Sequence, residues 1–310
     1  MPASPPPKAA GRRPTLRHRL EYGAYRSLVG ILRFLPERVA LGIGESLGWF
    51  VGAVLRVRWR VVVENLSIAF PEKDTDWIRS LARASFRHLG RESVATFRLG
   101  RMDQAEVRAR TELVGFDRVR EAAGEGKGLI FMTGHLGNWE MGGASIAVHG
   151  IPVDVIAQRQ RNPLFDADIT ANRERLGMRV IERGEASKRI LKALRAGRAV
   201  GIVGDQNVRQ GGVFVDFFGR PASTARGTAL FALKFGCPLF TGAVTRLPGY
   251  PHRYRMLFHR MEFDPSGDMD RDVHSLTEAL MGYLEERVRE TPEQYFWQHR
   301  RWKTRPPEGT

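Results

Sequence analysis

The chain has 310 residues, with 49 Lys and Arg against 34 Asp and Glu, one cysteine and 42% hydrophobic residues, enough for one large domain or two small ones. Cys237, being alone, can form no internal disulfide and no cysteine-based zinc site, which excludes a disulfide-stapled secreted fold and a zinc finger. A formal net charge of +15 calls for polyanionic company, whether nucleic acid, anionic lipid headgroups or an acidic protein.

The first twenty residues carry Lys8, Arg12, Arg13, Arg17 and Arg19 and no acid, and their proline-rich start has little to bury. They read as a disordered basic tail over 1–20. From Val39 to Leu55 runs an apolar stretch interrupted only by Glu45 and flanked by Arg38, Arg56, Arg58 and Arg60. A spanning helix wants about 20 apolar residues, so this one is marginal. It reads either as an amphipathic core helix or as a membrane-seated helix with basic flanks. Gly42, Gly44 and Gly48 within it lack the spacing and the preceding strand of a dinucleotide loop and read as helix-packing positions. Residues 21–64 are thus a helical segment, open between these two readings, ahead of a domain over 65–310.

Between Asp74 and Gly100, Ile78, Leu81, Phe86, Leu89 and Phe97 recur at helical spacing among arginines, predicting one or two amphipathic helices. From Gly128 the texture changes. Strands are expected at 128–132, 152–158, 179–181 and 199–204, with helices near 163–176 and 186–196 between them. That alternation implies an α/β fold with crossover helices. A hairpin pair at 239–244 and 254–259 and a helix over 272–289 follow.

Ligands in open α/β sheets gather at the carboxyl ends of strands, and the first such junction reads Thr133-Gly134-His135-Leu136-Gly137-Asn138-Trp139-Glu140. Asn138 is a natural N-cap for a helix whose first turn holds Glu140. On one continuous helix His135 and Glu140 would stand about 140° apart. With the histidine in the turn and the glutamate in the helix, the carboxylate can fold back onto one imidazole nitrogen. The other nitrogen is then free to take a proton from an alcohol, a base and its orienting partner without an enzyme nucleophile. The histidines show no metal-ligand spacing, so no metal is implied, and the chain has neither a phosphate loop nor a nucleophile elbow.

The string HLGNWE (135–140) resembles the H-x-x-x-x-D/E motif of glycerolipid acyltransferases, and in this form the late acyltransferases of lipid A biosynthesis, the lauroyl and myristoyl transferase family. NLSIAFPEK (65–73) and PEQYFWQHRRWKTRP (292–306) are similar to that family's N-terminal and C-terminal signatures. The resemblance implies a glycerolipid-acyltransferase-like fold, with a mixed, largely parallel sheet, flanking helices and an N-terminal membrane-associated segment. It implies an enzyme on the cytoplasmic face of the inner membrane that moves an acyl chain from acyl carrier protein to a hydroxyl of a lipid A precursor. Its partners would be acyl carrier protein, an anionic glycolipid and inner-membrane lipid, with no nucleic acid and no cofactor beyond the acyl thioester.

On that resemblance His135 and Glu140 are the catalytic pair. Substrate-binding positions carried over with it are Asn138, Arg159 or Arg161 beside Asn162, and Asp205, Gln206 and Thr224. Gln158 stands where the family usually has an arginine four residues before Asn-Pro, which leaves that role open between Arg159 and Arg161. Arg226, a cation at an expected helix start, is a candidate anion binder. Arg173 reads as solvent-facing or phosphate-pairing, and Phe214, Phe217 and Phe218 as core or as tunnel lining. Two competing readings are a related glycolipid or phospholipid acyltransferase, for example on a mannosylated phosphoinositide, and a non-catalytic basic protein bound to membrane or nucleic acid.

Overall fold

In the computed structural model, which describes residues 13–307 apart from the side chain of Glu185, the chain begins with helix α1 (Leu16–Phe34). Thr15 accepts the His18 N–H and its own N–H donates to the His18 imidazole, closing a capping box. The basic tail expected over 1–20 is therefore helical from Leu16 onward, and residues 1–12 of it lie outside the described residues.

Helix α2 (Glu37–Trp49) runs on through a π-helical turn (Phe50–Val54) before α3 (Trp59–Ala69) and the long α4 (Thr75–Leu99). Asp74 starts α4 by accepting the Trp77 N–H, and the region expected to hold one or two helices is one. Backbones of α2 and α4 meet where glycines face each other: a Cβ on Gly48 would lie 2.1 Å from the Phe86 carbonyl oxygen, and one on Gly90 2.1 Å from that of Gly44. Gly42, the third expected packing position, faces open space. The opposite side of α2 and its π-turn exposes Val39, Ile43, Leu47, Phe50 and Val54. No single described helix is long and apolar enough to cross a membrane; α2 with its π-turn meets α3 at 89°.

The remaining elements are α5 (Gln104–Ala109), β1 (Thr111–Val114), α6 (Phe116–Gly124), β2 (Leu129–Gly137), α7 (Trp139–Val148), β3 (Val153–Ala157), α8 (Pro163–Arg175) and β4 (Met178–Glu182). They continue with α9 (Ala186–Arg195), β5 (Ala199–Val203), β6 (Gly212–Asp216), β7 (Pro221–Ala225), α10 (Gly227–Phe235), β8 (Leu239–Arg246), β9 (Tyr254–Arg260) and α11 (Met269–Glu290). Seven strands form one sheet in the order β1-β9-β8-β2-β5-β3-β4, and β6 and β7 form a separate antiparallel ribbon. Strands β8, β2, β5, β3 and β4 run parallel, while β9 turns back antiparallel on β8 and brings β1 with it. This is the mixed, largely parallel sheet with flanking helices that the sequence predicts.

Both sheet faces are covered, which is why the central strands read as unbroken apolar runs. On β2, Ile130 and Met132 join a core with Phe86, Phe217, Leu280 and Trp297, while Leu129 and Phe131 join one with Met141, Leu176 and Phe240. Each such side chain contributes about 1.5–3 kcal/mol through burial. The two signature segments meet in space. Asn65 of α3 donates its amide hydrogens to the carbonyls of Trp297 (2.7 Å) and His299 (2.6 Å), and Leu136 at the end of β2 bridges antiparallel to Tyr295. Phe217 and Phe218 are core, stacked among Tyr295, Trp297 and Trp302.

Candidate active site

Strands β2 and β5 are parallel neighbours, with Thr133 level with Val203. Two residues farther along each chain stand His135 and Asp205. The chain leaves β2 for β3 on one side and later leaves β5 for β8 on the other, so these strand ends flank a crevice of the kind that binds ligands in open α/β sheets. The pairing of β2 with β8 breaks register between Thr133 and Gly137, which lifts His135 out of the regular ladder. Gly137 is required there. Its φ is +61°, and a Cβ would lie 1.7 Å from the Val244 carbonyl oxygen.

Asp205 grips His135 twice, accepting its backbone N–H at Oδ2 (2.9 Å) and facing ring Nδ1 with Oδ1 at 2.6 Å. A carboxylate only accepts, so Nδ1 carries the hydrogen and Nε2 keeps its lone pair. The Gln206 amide nitrogen stands 3.3 Å from Nε2. Trp139 meets the imidazole edge-on at 4.7 Å between ring centres and Phe296 lies at 5.9 Å.

Burial alone would raise the Asp205 carboxyl, but the charge and hydrogen bonds of His135, with Arg301 behind, hold it down at about 2. Burial likewise opposes a charged His135, yet the carboxylates of Asp205 and, more weakly, Glu140 raise its pKa above the ordinary 6.5. The loop carrying Asp205 is pinned by the C-terminal signature. His299 Nε2 accepts the Asn207 N–H (3.0 Å), Asn207 exchanges hydrogen bonds with Thr304, and the Phe296 N–H donates to the His135 carbonyl (2.9 Å).

The expected fold-back of Glu140 onto the imidazole is corrected by this geometry. Asn138 does cap α7, accepting the Met141 N–H, but Glu140 then points to α8, where Arg173 holds it with Nε at 3.0 Å and Nη2 at 2.5 Å. The reason is register: the neighbouring strand end delivers Asp205 at the level of the ring, whereas the first turn of α7 carries Glu140 toward the helix beside it. Glu140 acts on His135 through its field and not through a hydrogen bond.

Two cavities meet at the base. One of about 550 Å³ runs from His135, Trp139, Glu140 and Gln206 along apolar walls that include Ile156, Ile190, Ile202 and Phe231. The other, about 410 Å³, lies beside α4 and shares those four polar or aromatic residues, with Leu89, Thr96, Phe97 and Asn138 added. Of the positions singled out in the sequence, His135, Glu140, Asn138, Asp205 and Gln206 gather here. Asn162 instead caps α8, accepting the Leu164 N–H and donating to the His18 carbonyl. Arg159 pairs with Glu182, Arg161 is exposed on the loop before α8, and Arg226 pairs with Asp270 at 2.6 Å. Thr224 is buried under the guanidinium of Arg301 because β7 packs on the C-terminal segment, so it lines neither cavity.

Sequence reasoning passed over Trp139 and Phe296, although both lie inside the motifs it used, and read Arg173 as solvent-facing or phosphate-pairing, where it holds Glu140. No group of three or more His, Cys, Asp and Glu among the described residues is placed to hold a metal ion.

The family of bacterial lipid A biosynthesis acyltransferases matches residues 10–304 of the chain. Among curated relatives, the lipid A biosynthesis palmitoleoyltransferase of Escherichia coli (strain K12) is 26% identical over 274 residues, covering 88% of this chain and 87% of that protein. The lauroyltransferase of the same organism is also 26% identical over 274 residues, with 88% of each chain covered. A phosphatidylinositol mannoside acyltransferase of Mycolicibacterium smegmatis is 25% identical over 217 residues, 68% of this chain and 70% of that protein.

Proposed function

The chain belongs to the bacterial lipid A biosynthesis acyltransferase family, and from that premise we propose that it moves a fatty acyl chain from the thioester of acyl carrier protein to a hydroxyl of a lipid A precursor. His135 is the general base. The acceptor hydroxyl takes the place of the Gln206 amide at Nε2, gives up its proton there as its oxygen attacks the thioester carbonyl, and leaves a tetrahedral oxyanion. The first amides of α7, at Trp139 and Glu140, are among those a helix leaves without an intrahelical partner, and they supply donors for that charge. Collapse breaks the carbon–sulfur bond, and the departing thiolate recovers the proton from the imidazolium. Asp205 fixes the tautomer and stabilises the imidazolium, and Glu140, held by Arg173, adds negative potential beside it. No acyl-enzyme forms, because no side chain attacks the thioester.

The observation that carries this reading is a histidine anchored at Nδ1 by a buried carboxylate at the junction of two cavities. The apolar cavity suits the acyl chain of the donor. Exposed Leu16, Leu20, Ile31 and Phe34 on α1 and the exposed apolar face of α2 seat the enzyme on the cytoplasmic side of the inner membrane, and the cationic surface meets an acidic carrier protein and an anionic glycolipid. Purified protein in detergent should consume acyl carrier protein thioester only when a lipid A precursor is present, and His135→Ala should abolish this. Full activity in that variant would overturn the mechanism. Likeness to the phosphatidylinositol mannoside acyltransferase supports a second reading, the same chemistry on a mannosylated phosphoinositide, which mass spectrometry of the lipid product distinguishes.

A further inference from the structure

Away from the base, Arg56, Arg58 and Arg60 at the turn into α3 and Arg300 and Lys303 of the C-terminal segment line a cleft of about 710 Å³ with Trp59 and Val61. All five cations are exposed, and no described carboxylate pairs with any of them. Other arginines of the chain do have carboxylate partners: Arg110 lies between Glu37 and Glu106, and Arg198 pairs with Asp154. The cleft also takes in the N-terminus of α3, whose first turn has no acid and whose cap, Arg58, makes no capping hydrogen bond. Like charges thus converge on the positive end of a helix dipole, an arrangement that an entering anion stabilises.

We propose that this cleft binds the phosphate of a phosphorylated glycolipid acceptor, a proposal that rests on the acyltransferase reading above. Guanidinium groups recognise phosphate oxygens in pairs, and the three arginines of the turn and Arg300 offer that geometry from two sides. The C-terminal segment joins the cleft to the base. Phe296 donates its N–H to the His135 carbonyl, and Arg300 stands four residues farther on, no more than about 14 Å even if fully extended. One acceptor molecule can therefore place its hydroxyl at His135 and its phosphate among the cations. This proximity favours the acceptor over a headgroup of the surrounding bilayer as the source of the phosphate.

The test uses Arg58→Asn, which tolerates the left-handed backbone at φ +61°, and the double variant Arg300→Gln/Lys303→Gln, in the full-length enzyme. Each should raise the KM for the phosphorylated acceptor by about tenfold or more with kcat and the donor KM little changed, as expected for lost uniform binding. A dephosphorylated acceptor should give the same high KM with wild type and variants. An equal rise with both acceptors, a rise in donor KM, or loss of binding to phosphatidylglycerol vesicles with unchanged acceptor KM would overturn the proposal. If wild-type protein acylates no lipid A precursor, the functional reading fails separately. Isothermal titration with glucosamine 1-phosphate then decides the site: saturable binding that both variants lose upholds it, and no binding overturns it.

Discussion

Asp205 and Glu140 border the same crevice and meet different fates. Asp205 is 2% exposed and holds an imidazole, while Glu140, at 17% exposure, holds a guanidinium. Glu140 is the nearer of the two to His135 in the chain, yet Asp205, seventy residues away, touches the ring. The difference follows from the sheet, since parallel neighbours bring residues at equal distance past their register pair to one level. A carboxylate partner for a strand-end histidine is therefore better sought at the end of the adjacent strand than one helical turn downstream.

Substituting the two acids separately gives the sharpest contrast. Asp205→Asn keeps the shape but can donate to Nδ1, inverting the tautomer, and should lower kcat by about 10³–10⁴-fold. Glu140→Gln leaves the imidazole anchored but removes the carboxylate's field and its charge pairing with Arg173, and a loss of about 10–100-fold is expected. Equal losses, or a larger one at Glu140, measured as initial rates of thioester consumption, would return Glu140 to the role of direct partner.

The pH profile separates the same two residues with a smaller effect. Nε2 accepts a proton only when the ring is neutral, so kcat/KM should fall on acidification through the raised pKa of His135, above 6.5. Asp205 is the larger favourable cause of that rise, so Asp205→Asn should move the acid limb downward in pH and Glu140→Gln should move it less. The linkage to stability runs in two directions. The raised histidine contributes fully below its unfolded value and loses that contribution as pH rises through the folded one; the depressed Asp205 contributes above the ordinary carboxyl range and loses it as pH falls toward about 2. Denaturation midpoints of wild type and Asp205→Asn should converge as pH falls toward about 2.

The sheet was legible in the sequence because its central strands are apolar on both faces and end at glycine-rich turns. The long helices were legible from their periodicity and the Asp74 cap. Strand β1 was not: Thr111–Val114 is four residues with one acid, and only its pairing to β9 makes it a strand. The β6–β7 ribbon was hidden because each strand is only five residues long and the Pro, Ser and Thr of β7 read as loop. At the site, His135 and the Asn138 cap could be read locally, and Asp205 was singled out as a substrate-binding position, where its carboxylate holds the His135 ring. What local reading lacked was the strand order, because β2 and β5 are neighbours only after β3 and β4 have been placed outside them. For Thr224, Arg226 and Asn162 local reading gave no sign of the partners they bond, Arg301, Asp270 and the His18 carbonyl, which come from distant parts of the chain.

The smallest effects probe what holds each acid in place. Asn65 fixes the carbonyls of Trp297 and His299, and His299 in turn holds Asn207 beside Asp205. Asn65→Ala leaves two acceptors without that donor and should cost about 1–3 kcal/mol in a denaturant titration. It should also lower kcat a few-fold, because the loop that presents Asp205 loses its brace. Asn162 plays the matching part on the other side, capping the helix that carries Arg173, and Asn162→Ala should cost about 1 kcal/mol. That cap acts on the Glu140 side alone, so its loss should leave the acid limb of kcat/KM where it is. Asn65→Ala, by loosening the Asp205 grip, should shift the limb slightly downward. A limb that moves with Asn162 and not with Asn65 would mean that the arginine-bound glutamate, and not the buried aspartate, sets the basicity of the histidine.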